Sequence, residues 1–369
     1  MIEYLEWYKD LEVNLAGRPD VHLLLSSSIV EPTDLLMRDL HAFTENGARA
    51  SLSKTNARGH PEMLEAVSKR YGCDTNRIVA TNGASNGIHL LCKTLLESGD
   101  RIVIESPCYE SLRSTAEDIG CEIVSLNRMP PEYRIDLEQL SDLLNERTKL
   151  VLLTNLHNPS GSYMEDDTLR EIGEIVKHKS DAFVAVDEIY KDFVTEDNLQ
   201  AFILGERFIS IASLTKAHGL GSIHTGWIIS TEEISQRILQ LQTLVEGSGS
   251  RLVEGLSAVI VNHLDDYISR AIEVASFNRE VLQDRLSDLI QEGIFVGDVP
   301  EYGCIWFPRL NLPMSTEECV KRLSTDYGVY VVPGRYLGLP EHIRIGFGSA
   351  PVRLENAVDA LLRAFSELI

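Results

Sequence analysis

The sequence predicts an α/β protein, with a large domain built on a seven-stranded, mostly parallel sheet flanked by helices, and a smaller α+β domain. Its 369 residues are enough for roughly two domains. From about residue 78, short β-branched runs alternate with longer segments of helical period, which is typical of βα units that build a parallel sheet. After about residue 290 the pattern changes to short strands and a terminal helix, which indicates the second domain.

Each element is predicted from its local pattern. Apolar, β-branched runs predict the strands of the large sheet at Arg77–Thr81, Arg101–Glu105, Glu122–Leu126, Lys149–Thr154, Phe183–Asp187, Phe208–Ser213 and Thr225–Ser230. Apolar residues at three- and four-residue steps predict helices at Asn86–Leu96, Tyr109–Ile119, Leu137–Asn145 and Asp166–Lys177. Residues 231–290 contain little Gly or Pro and predict long helices that bridge the two domains. The last part predicts strands at Cys304–Leu310, Val329–Val332 and His342–Phe347 and a helix at Pro351–Leu368, opened by its proline.

The charge and composition exclude several classes of protein. With 34 basic and 56 acidic residues the net charge is −22, which repels nucleic acid and anionic membrane surfaces. The six cysteines form no CxxC pair, so we expect reduced, mostly buried thiols and no metal site. The amino terminus is acidic where a signal peptide is basic, and no segment approaches the ~20 apolar residues of a membrane span. We therefore expect a cytoplasmic protein.

Polar residues follow the predicted strands at their carboxyl ends, where open α/β sheets bind ligands. The sequence has no GxGxxG after a strand, no GxxxxGK and no HExxH, which removes the nicotinamide, P-loop and zinc-protease interpretations. Gly83, Ala84 and Ser85 open a helix after the first strand and would present backbone amides to an anion such as phosphate, although an ordinary helix cap has the same pattern. Tyr109 and Asn158 follow the second and fourth strands; a core tyrosine and a turn asparagine are the alternatives.

Asp187 and Lys216 carry the sharpest signal. An aspartate at the inner end of an apolar strand is costly to bury without a cationic partner. Lys216 ends a buried strand, lies beside the hydroxyls of Ser213 and Thr215, and is followed by glycines, so a solvated surface charge explains it poorly. Burial lowers the pKa of a lysine and leaves its amine free to attack an aldehyde.

Taken in order, these residues resemble the pyridoxal-phosphate-dependent aminotransferases of class I/II, which have fold type I. The motifs that carry the resemblance cover nearly the whole chain: Gly83-Ala84-Ser85, Tyr109, Asn158-Pro159-Ser160-Gly161, Asp187 with Tyr190, Ser213 to Lys216, and Arg344. The resemblance implies a mixed sheet in a large cofactor-binding domain over residues 45–265, a small domain formed by residues 1–44 and 266–369, and a homodimer with shared active sites. It implies a transferase of amino acid metabolism or biosynthesis that exchanges amino groups between α-amino acids and 2-oxo acids.

The resemblance also implies a role for each matching residue. Lys216 matches the lysine that holds the cofactor as a Schiff base and moves the substrate's α-proton, and Asp187 matches the carboxylate that pairs with the pyridine nitrogen. Tyr190 and Asn158 match donors to the phenolic oxygen, and Arg344 grips the substrate carboxylate, for which an ordinary ion pair is the alternative. The other residues implied for the cofactor are Gly83, Ala84, Ser85, Tyr109, Ser213 and Thr215; Asn158 and Ser28 are expected to contact substrate as well.

Two departures from the family pattern affect these expectations. His224 stands where the family places an arginine beside the cofactor phosphate, so we expect weaker, more pH-sensitive retention of the cofactor unless Lys54 or Arg58 of a partner subunit adds charge. The segment from Ser26 to Pro32 replaces a Gly-rich stretch and is loosely similar to one in the capreomycidine synthase branch, which cyclises a modified arginine. Elimination, cyclisation, oxidation or decarboxylation on the same cofactor is therefore the alternative to transamination.

Overall fold

The computed structural model describes residues 3–15, 17–18, 20–45, 48–53, 58–196 and 199–369. In these ranges the helices are α1 (Glu3–Leu15), α2 (Thr33–Glu45), α3 (Ala48–Ser51), α4 (Pro61–Tyr71), α5 (Gly83–Leu95), α6 (Ser111–Ile119), α7 (Leu137–Leu143), α8 (Asp166–Lys179), α9 (Glu232–Val245), α10 (Arg251–Asn262), α11 (Leu264–Arg285), α12 (Ser287–Gln291), α13 (Thr316–Tyr327) and α14 (Pro351–Leu368). The strands are β1 (His22–Leu24), β2 (Ile78–Thr81), β3 (Arg101–Ser106), β4 (Glu122–Asn127), β5 (Thr148–Thr154), β6 (Phe183–Asp187), β7 (Phe208–Ser213), β8 (Gly226–Ile229), β9 (Phe295–Val296), β10 (Ile305–Trp306), β11 (Arg309–Leu310), β12 (Val329–Pro333) and β13 (Ile343–Gly346).

The predicted seven-stranded sheet is confirmed within the described residues. Its strand order is β2-β8-β7-β6-β5-β3-β4, and β8 runs antiparallel to both of its neighbours while the other pairs are parallel. Helices α5, α6 and α9 cover one face and α7 and α8 the other. Because both faces are covered, the central strands are apolar throughout, which is why they read as continuous runs in the sequence.

The register of the central strands brings their carboxyl ends together. Asp187, the last residue of β6, is paired with Thr154 at the end of β5 and with Ile211 in β7. Strand β7 ends at Ser213, and the turn that leads to β8 carries Lys216. The predicted site residues Asp187, Ser213 and Lys216 therefore lie at one edge of the sheet, as the topology of parallel strands requires.

A second sheet joins the two ends of the chain. Strand β1 runs parallel to β12, which pairs antiparallel with β13, and β13 pairs antiparallel with β10. Helices α11, α13 and α14 pack against this sheet around a core that includes Phe295, Trp306 and Phe365. The segment after α1 is therefore fixed beside Arg344, which lies in β13.

The structure corrects the prediction in one place and sharpens it in others. The single strand predicted at Cys304–Leu310 is wrong: β10 and β11 are separate and belong to different sheets, with Pro308, which has no N–H to donate, between them. The predicted helix at Asn86 begins at Gly83, and the one at Tyr109 begins at Ser111. The long helices predicted in residues 231–290 are confirmed as α9, α10 and α11, and α12 is a short helix that follows them.

The remaining global expectations concern thiols and membranes. The six cysteines all lie in the described ranges, and all are free; five are buried and Cys121 is half-buried. Among the described helices, none is long and apolar enough to cross a membrane.

Candidate active site

Lys216 lies half-buried in the turn between β7 and β8. Burial is the main reason that its pKa is lowered; the charge of Arg344 acts in the same direction, while Cys304 and Asp187 oppose it. The backbone of this turn is held from outside, because the Lys216 carbonyl accepts hydrogen bonds from Ile29 N at 3.2 Å and from Ser28 Oγ at 3.3 Å. A lysine with a lowered pKa has more free amine near neutral pH and is the better nucleophile for it.

Asp187 is a buried carboxylate at the end of β6. Its Oδ1 accepts a hydrogen bond from Ile189 N at 3.2 Å. Burial raises the pKa of Asp187 to about 7, with Glu105 and Glu188 adding to the rise, while the Ile189 N–H and Lys216 act against it. A cationic partner in contact with this carboxylate would relieve that cost, so the site suits a protonated ring nitrogen.

Tyr190 supplies an unused donor to the same region. Its side chain is almost fully buried and lies near Ser27, but its hydroxyl has no hydrogen-bond partner among the described residues. Burial raises the pKa of Tyr190 above its usual range, so the hydroxyl keeps its proton and can donate it. A buried donor without an acceptor is costly, and an oxygen of a bound ligand would satisfy it.

The amino terminus of α5 forms a cradle for an anion. Gly83, its first residue, has φ +76°, and a Cβ there would lie 3.2 Å from Cε1 of the His224 ring. Gly226 brings β8 close to the same place, since a Cβ on it would lie 2.7 Å from the Ala212 carbonyl oxygen and 2.9 Å from the Gly83 carbonyl carbon. The cap residue Asn82 makes no side-chain cap bond, so the first amides of the helix, including those of Ala84 and Ser85, face outward with the positive end of the helix dipole.

His224 is held beside this cradle. Its backbone has φ +50°, a left-handed conformation that costs a non-glycine residue about 1 kcal/mol or more. The exposed imidazole lies over the amino terminus of α5, where the family resemblance predicts a partner for the cofactor phosphate. Lys54 lies outside the described residues. Arg58, proposed as a contributor to a partner subunit, donates within its own chain to Asn76 O at 2.9 Å and Gln236 Oε1 at 2.7 Å.

Arg344 is a buried cation without a carboxylate partner in the described part of the chain. Its Nη1 donates to Asn158 Oδ1 at 3.0 Å, and its Nη2 donates to the Tyr4 hydroxyl at 3.0 Å and to the Leu25 carbonyl at 3.1 Å. Its Nε has no partner in the same ranges. The ion pair that was the ordinary alternative for Arg344 is absent there, and a guanidinium buried among neutral acceptors is prepared for an anion.

A buried polar chain leads from the sheet to Arg344. Arg128 Nη1 lies 2.9 Å from Glu105 Oε2, and Glu105 Oε1 accepts from the backbone N–H of Thr154 at 2.8 Å and from its hydroxyl. The Thr154 hydroxyl oxygen accepts from Asn158 N at 3.2 Å. Asn158 is thus fixed through its backbone on one side while its side chain holds Arg344 on the other.

Other predicted residues make local contacts. The Ser213 hydroxyl has two acceptors within reach in the turn, Thr225 O at 2.9 Å and Thr215 Oγ1 at 3.0 Å. It also accepts a hydrogen bond from Thr215 N at 3.2 Å. The Ser28 hydroxyl lies 3.0 Å from the Thr215 carbonyl, so it supports the Lys216 turn, and its contact with substrate stays a prediction. Tyr109 is half-buried, with its ring edge-to-face against Tyr4 at 5.6 Å.

Sequence reasoning missed the residues that α1 brings to the site. Tyr4 reaches Arg344, and Tyr8 and Glu12 follow it at four-residue steps on the same helix face. That spacing is visible in the sequence and is the signal that predicts one face. Glu105 and Arg128 were also missed, although a glutamate at the end of an apolar strand is the same kind of signal as Asp187.

These observations fit pyridoxal phosphate. The cradle at α5 suits its phosphate, the Asp187 carboxylate its ring nitrogen, and the unpartnered Tyr190 hydroxyl its phenolic oxygen. Lys216, with its lowered pKa, is the amine for its aldehyde. Fold and site together define a pyridoxal-phosphate-dependent enzyme of fold type I.

Comparisons with known proteins identify the family within that class. Residues 35–361 match the family model for aminotransferase class I and II, so the chain belongs to this family and is a pyridoxal-phosphate-dependent aminotransferase. It is 29% identical to capreomycidine synthase of Streptomyces vinaceus over 82% of this chain and 78% of that protein. It is 26% identical to an aspartate aminotransferase of Musicola paradisiaca over 85% of this chain and 82% of that protein. The solved structure of a PLP-dependent aminotransferase from Streptococcus suis has the same fold, with a TM-score of 0.89 at 21% identity over 100% of this chain and 98% of that one.

Proposed function

We propose that Lys216, Asp187, Tyr190, Asn158 and Arg344 carry the transfer of an amino group from an α-amino acid to a 2-oxo acid. The observation that supports this most directly is that a buried carboxylate, which has no cationic side chain in contact with it among the described residues, ends β6, while a lysine with a lowered pKa follows the adjacent strand β7. When bound, pyridoxal phosphate supplies an aldehyde for an amine and a ring that accepts electrons. Side chains and backbone amides of the protein bind, orient and move protons around these groups.

Each side chain has a separate task. Lys216 Nζ would hold the cofactor through its aldehyde and, when free, would carry the proton lost by the substrate α-carbon to the former aldehyde carbon. Asp187 keeps the ring nitrogen protonated, which strengthens the electron sink. Tyr190 donates its free hydroxyl proton to the phenolic oxygen, and Arg344, held by Asn158, binds the substrate α-carboxylate.

The remaining predicted cofactor residues surround these groups. The amides of Gly83, Ala84 and Ser85 bind the phosphate at the α5 terminus, with His224 as its partner. Ser213 and Thr215 shape the Lys216 turn at the same edge. Tyr109 would stack on the cofactor ring, as its match to the family implies.

A cofactor spectrum tests this assignment. Wild-type protein loaded with pyridoxal phosphate should show the visible absorbance of a lysine-bound cofactor that survives gel filtration, and Lys216→Ala should not. Lys177→Ala, which removes an exposed lysine of α8, is the matched control and should behave as wild type. Addition of single amino acids should convert them to 2-oxo acids in a half-reaction. Normal cofactor absorbance in Lys216→Ala would contradict the assignment.

Elimination, cyclisation, oxidation or decarboxylation on the same cofactor is the second candidate. The 29% identity to capreomycidine synthase favours it, because that relative is not named as an aminotransferase. The half-reaction separates the two candidates: a 2-oxo acid and aminated cofactor support transamination, whereas ammonia release, oxygen uptake or a cyclic product supports the second.

We further propose a cytoplasmic homodimer acting in amino acid biosynthesis, with residues 45–265 as the large domain and residues 1–44 and 266–369 as the small one. The sheet shared by β1 and β12 supports the assignment of both chain ends to one domain. The expectation of shared active sites in the family supports the dimer. Light scattering with size-exclusion chromatography tests it, and a monomer at working concentration would contradict it.

A further inference from the structure

Helix α1 presents a row of polar side chains to the substrate side of the site. Tyr4, Tyr8 and Glu12 are spaced by four residues and lie on one helix face. The Tyr4 hydroxyl is fixed 3.0 Å from Arg344 Nη2, so the position of the row relative to the carboxylate-binding cation is set. At a rise of 1.5 Å per residue, Glu12 lies about 12 Å farther along the helix axis.

A cavity of about 970 Å³ opens along this row. Its wall includes Tyr8 and Glu12 from α1 and Ser26 and Ser28 from the segment after β1. Ser28 also contacts the carbonyls of Thr215 and Lys216, so the cavity extends from the lysine turn to the end of α1. Its volume is large enough for a long amino acid side chain.

The charged residues of the cavity wall differ in their partners and in their position relative to Arg344. Arg18 is engaged by Asp20 through bonds of 3.2 and 2.6 Å, and Glu31 accepts from Ser222 N at 3.3 Å. Glu12 lies two helix turns from Tyr4 on the face of α1 that contacts Arg344, and its charge raises the pKa of Lys216, after Cys304 and Asp187. Glu12 is therefore the acidic residue of the wall that shares a helix face with the contact to Arg344.

Tyr8 precedes that carboxylate by one turn on the same face of α1. Burial first, and the charge of Glu12 second, raise the pKa of Tyr8 to about 12, so its hydroxyl keeps its proton at neutral pH. Tyr8 is half-buried, Glu12 is exposed, and both line the cavity. A cationic side chain in the cavity would therefore meet a carboxylate beside a neutral hydroxyl, which favours it over an anionic one.

We propose that Glu12 and Tyr8 form the side-chain subsite of the substrate and select an α-amino acid whose long side chain ends in an ammonium or guanidinium group. This rests on the proposed function, because Arg344 must hold the α-carboxylate for the side chain to reach Glu12. The separation along α1 excludes short side chains from the contact. An acidic side chain would meet a like charge there.

The test follows the half-reaction of holoenzyme with single donors by cofactor absorbance and 2-oxo acid formation. The donors are L-lysine, L-ornithine and L-arginine, with L-norleucine as the uncharged donor of similar length and L-glutamate as the acidic one. Wild type should react with a cationic donor at least about tenfold faster, per molar donor, than with norleucine. Glu12→Gln should lose about tenfold for cationic donors and stay within about twofold for norleucine. Glu6→Gln, an exposed carboxylate of α1 outside the cavity wall, is the matched control and should change neither.

The outcomes separate this inference from the function on which it rests. A wild type that prefers norleucine or glutamate, or a Glu12→Gln variant that loses equally for all donors, would overturn the subsite while leaving the amino-group transfer intact. Failure of every donor to change the absorbance of cofactor-loaded protein would overturn the proposed function, and the subsite with it. Glu12 is exposed, so the fold should tolerate the substitution; equal unfolding midpoints of wild type and variant would check this.

Discussion

Replacing Arg128 by methionine removes the cation that neutralises a fully buried carboxylate. Arg128 and Glu105 are 1% and 0% exposed, and their Nη1 and Oε2 atoms are 2.9 Å apart. Burial raises the pKa of Glu105, and the charge of Arg128 is the main influence that lowers it. Without Arg128 the carboxylate is either ionised without a partner or protonated at a cost. Breaking a buried pair from one side destabilises a protein by about 3–5 kcal/mol.

The measurement is urea unfolding of wild type, Arg128→Met and the double variant Glu105→Gln/Arg128→Met. The glutamine removes the charge but keeps an oxygen for the Thr154 N–H, so the double variant should recover most of the loss. Arg170→Met, which breaks the exposed pair with Asp167, should cost less than about 1 kcal/mol. Because the folded pKa of Glu105 lies above its unfolded value, stability from this group is lost as pH rises, and the deficit of Arg128→Met should be larger at about pH 8 than at about pH 5.5. A loss below about 1 kcal/mol, or a double variant no more stable than the single one, would refute the reasoning.

Three further predictions concern the site. Asp187→Asn should retain the cofactor but lower turnover at least about a hundredfold, because an amide does not hold the ring nitrogen protonated; steady-state kinetics after cofactor titration checks this, and near-normal turnover would contradict it. His224→Arg should tighten cofactor binding at neutral and alkaline pH, because a guanidinium keeps its charge throughout that range; a fluorescence titration with no gain would remove this explanation. Tyr4→Phe should raise the KM of the amino donor about tenfold with little change in kcat, since the hydroxyl on Arg344 helps to position it; an unchanged KM would count against that role.

The parts of the site that sequence reasoning found are those that topology brings together from local patterns. Asp187 ends strand β6 and Lys216 follows strand β7, and these two strands are paired neighbours in the sheet. The two residues are therefore expected to lie near each other as soon as the strands are recognised. The contact between Arg344 and Asn158 joins residues 186 positions apart, and that between Arg344 and Tyr4 spans 340. No periodicity encodes such contacts, because they depend on how the two sheets pack. The strand predicted at Cys304–Leu310 failed for a local reason, the proline at 308.

The environment of Arg344 explains how the fold prepares a substrate site before any substrate arrives. Its acceptors come from α1, from the segment after β1 and from the turn after β5, and all of them are neutral. Neutral hydrogen bonds offset only part of the cost of burying a guanidinium, so the folded chain retains an unbalanced positive charge that a carboxylate can neutralise. Asn158 is also held through Thr154 to Glu105 and Arg128, and the buried ion pair therefore positions the residue that orients Arg344. Removing Arg128 should therefore raise the KM of the amino donor as well as lower stability, because an Asn158 that is less firmly held leaves the guanidinium free to turn away from the incoming carboxylate.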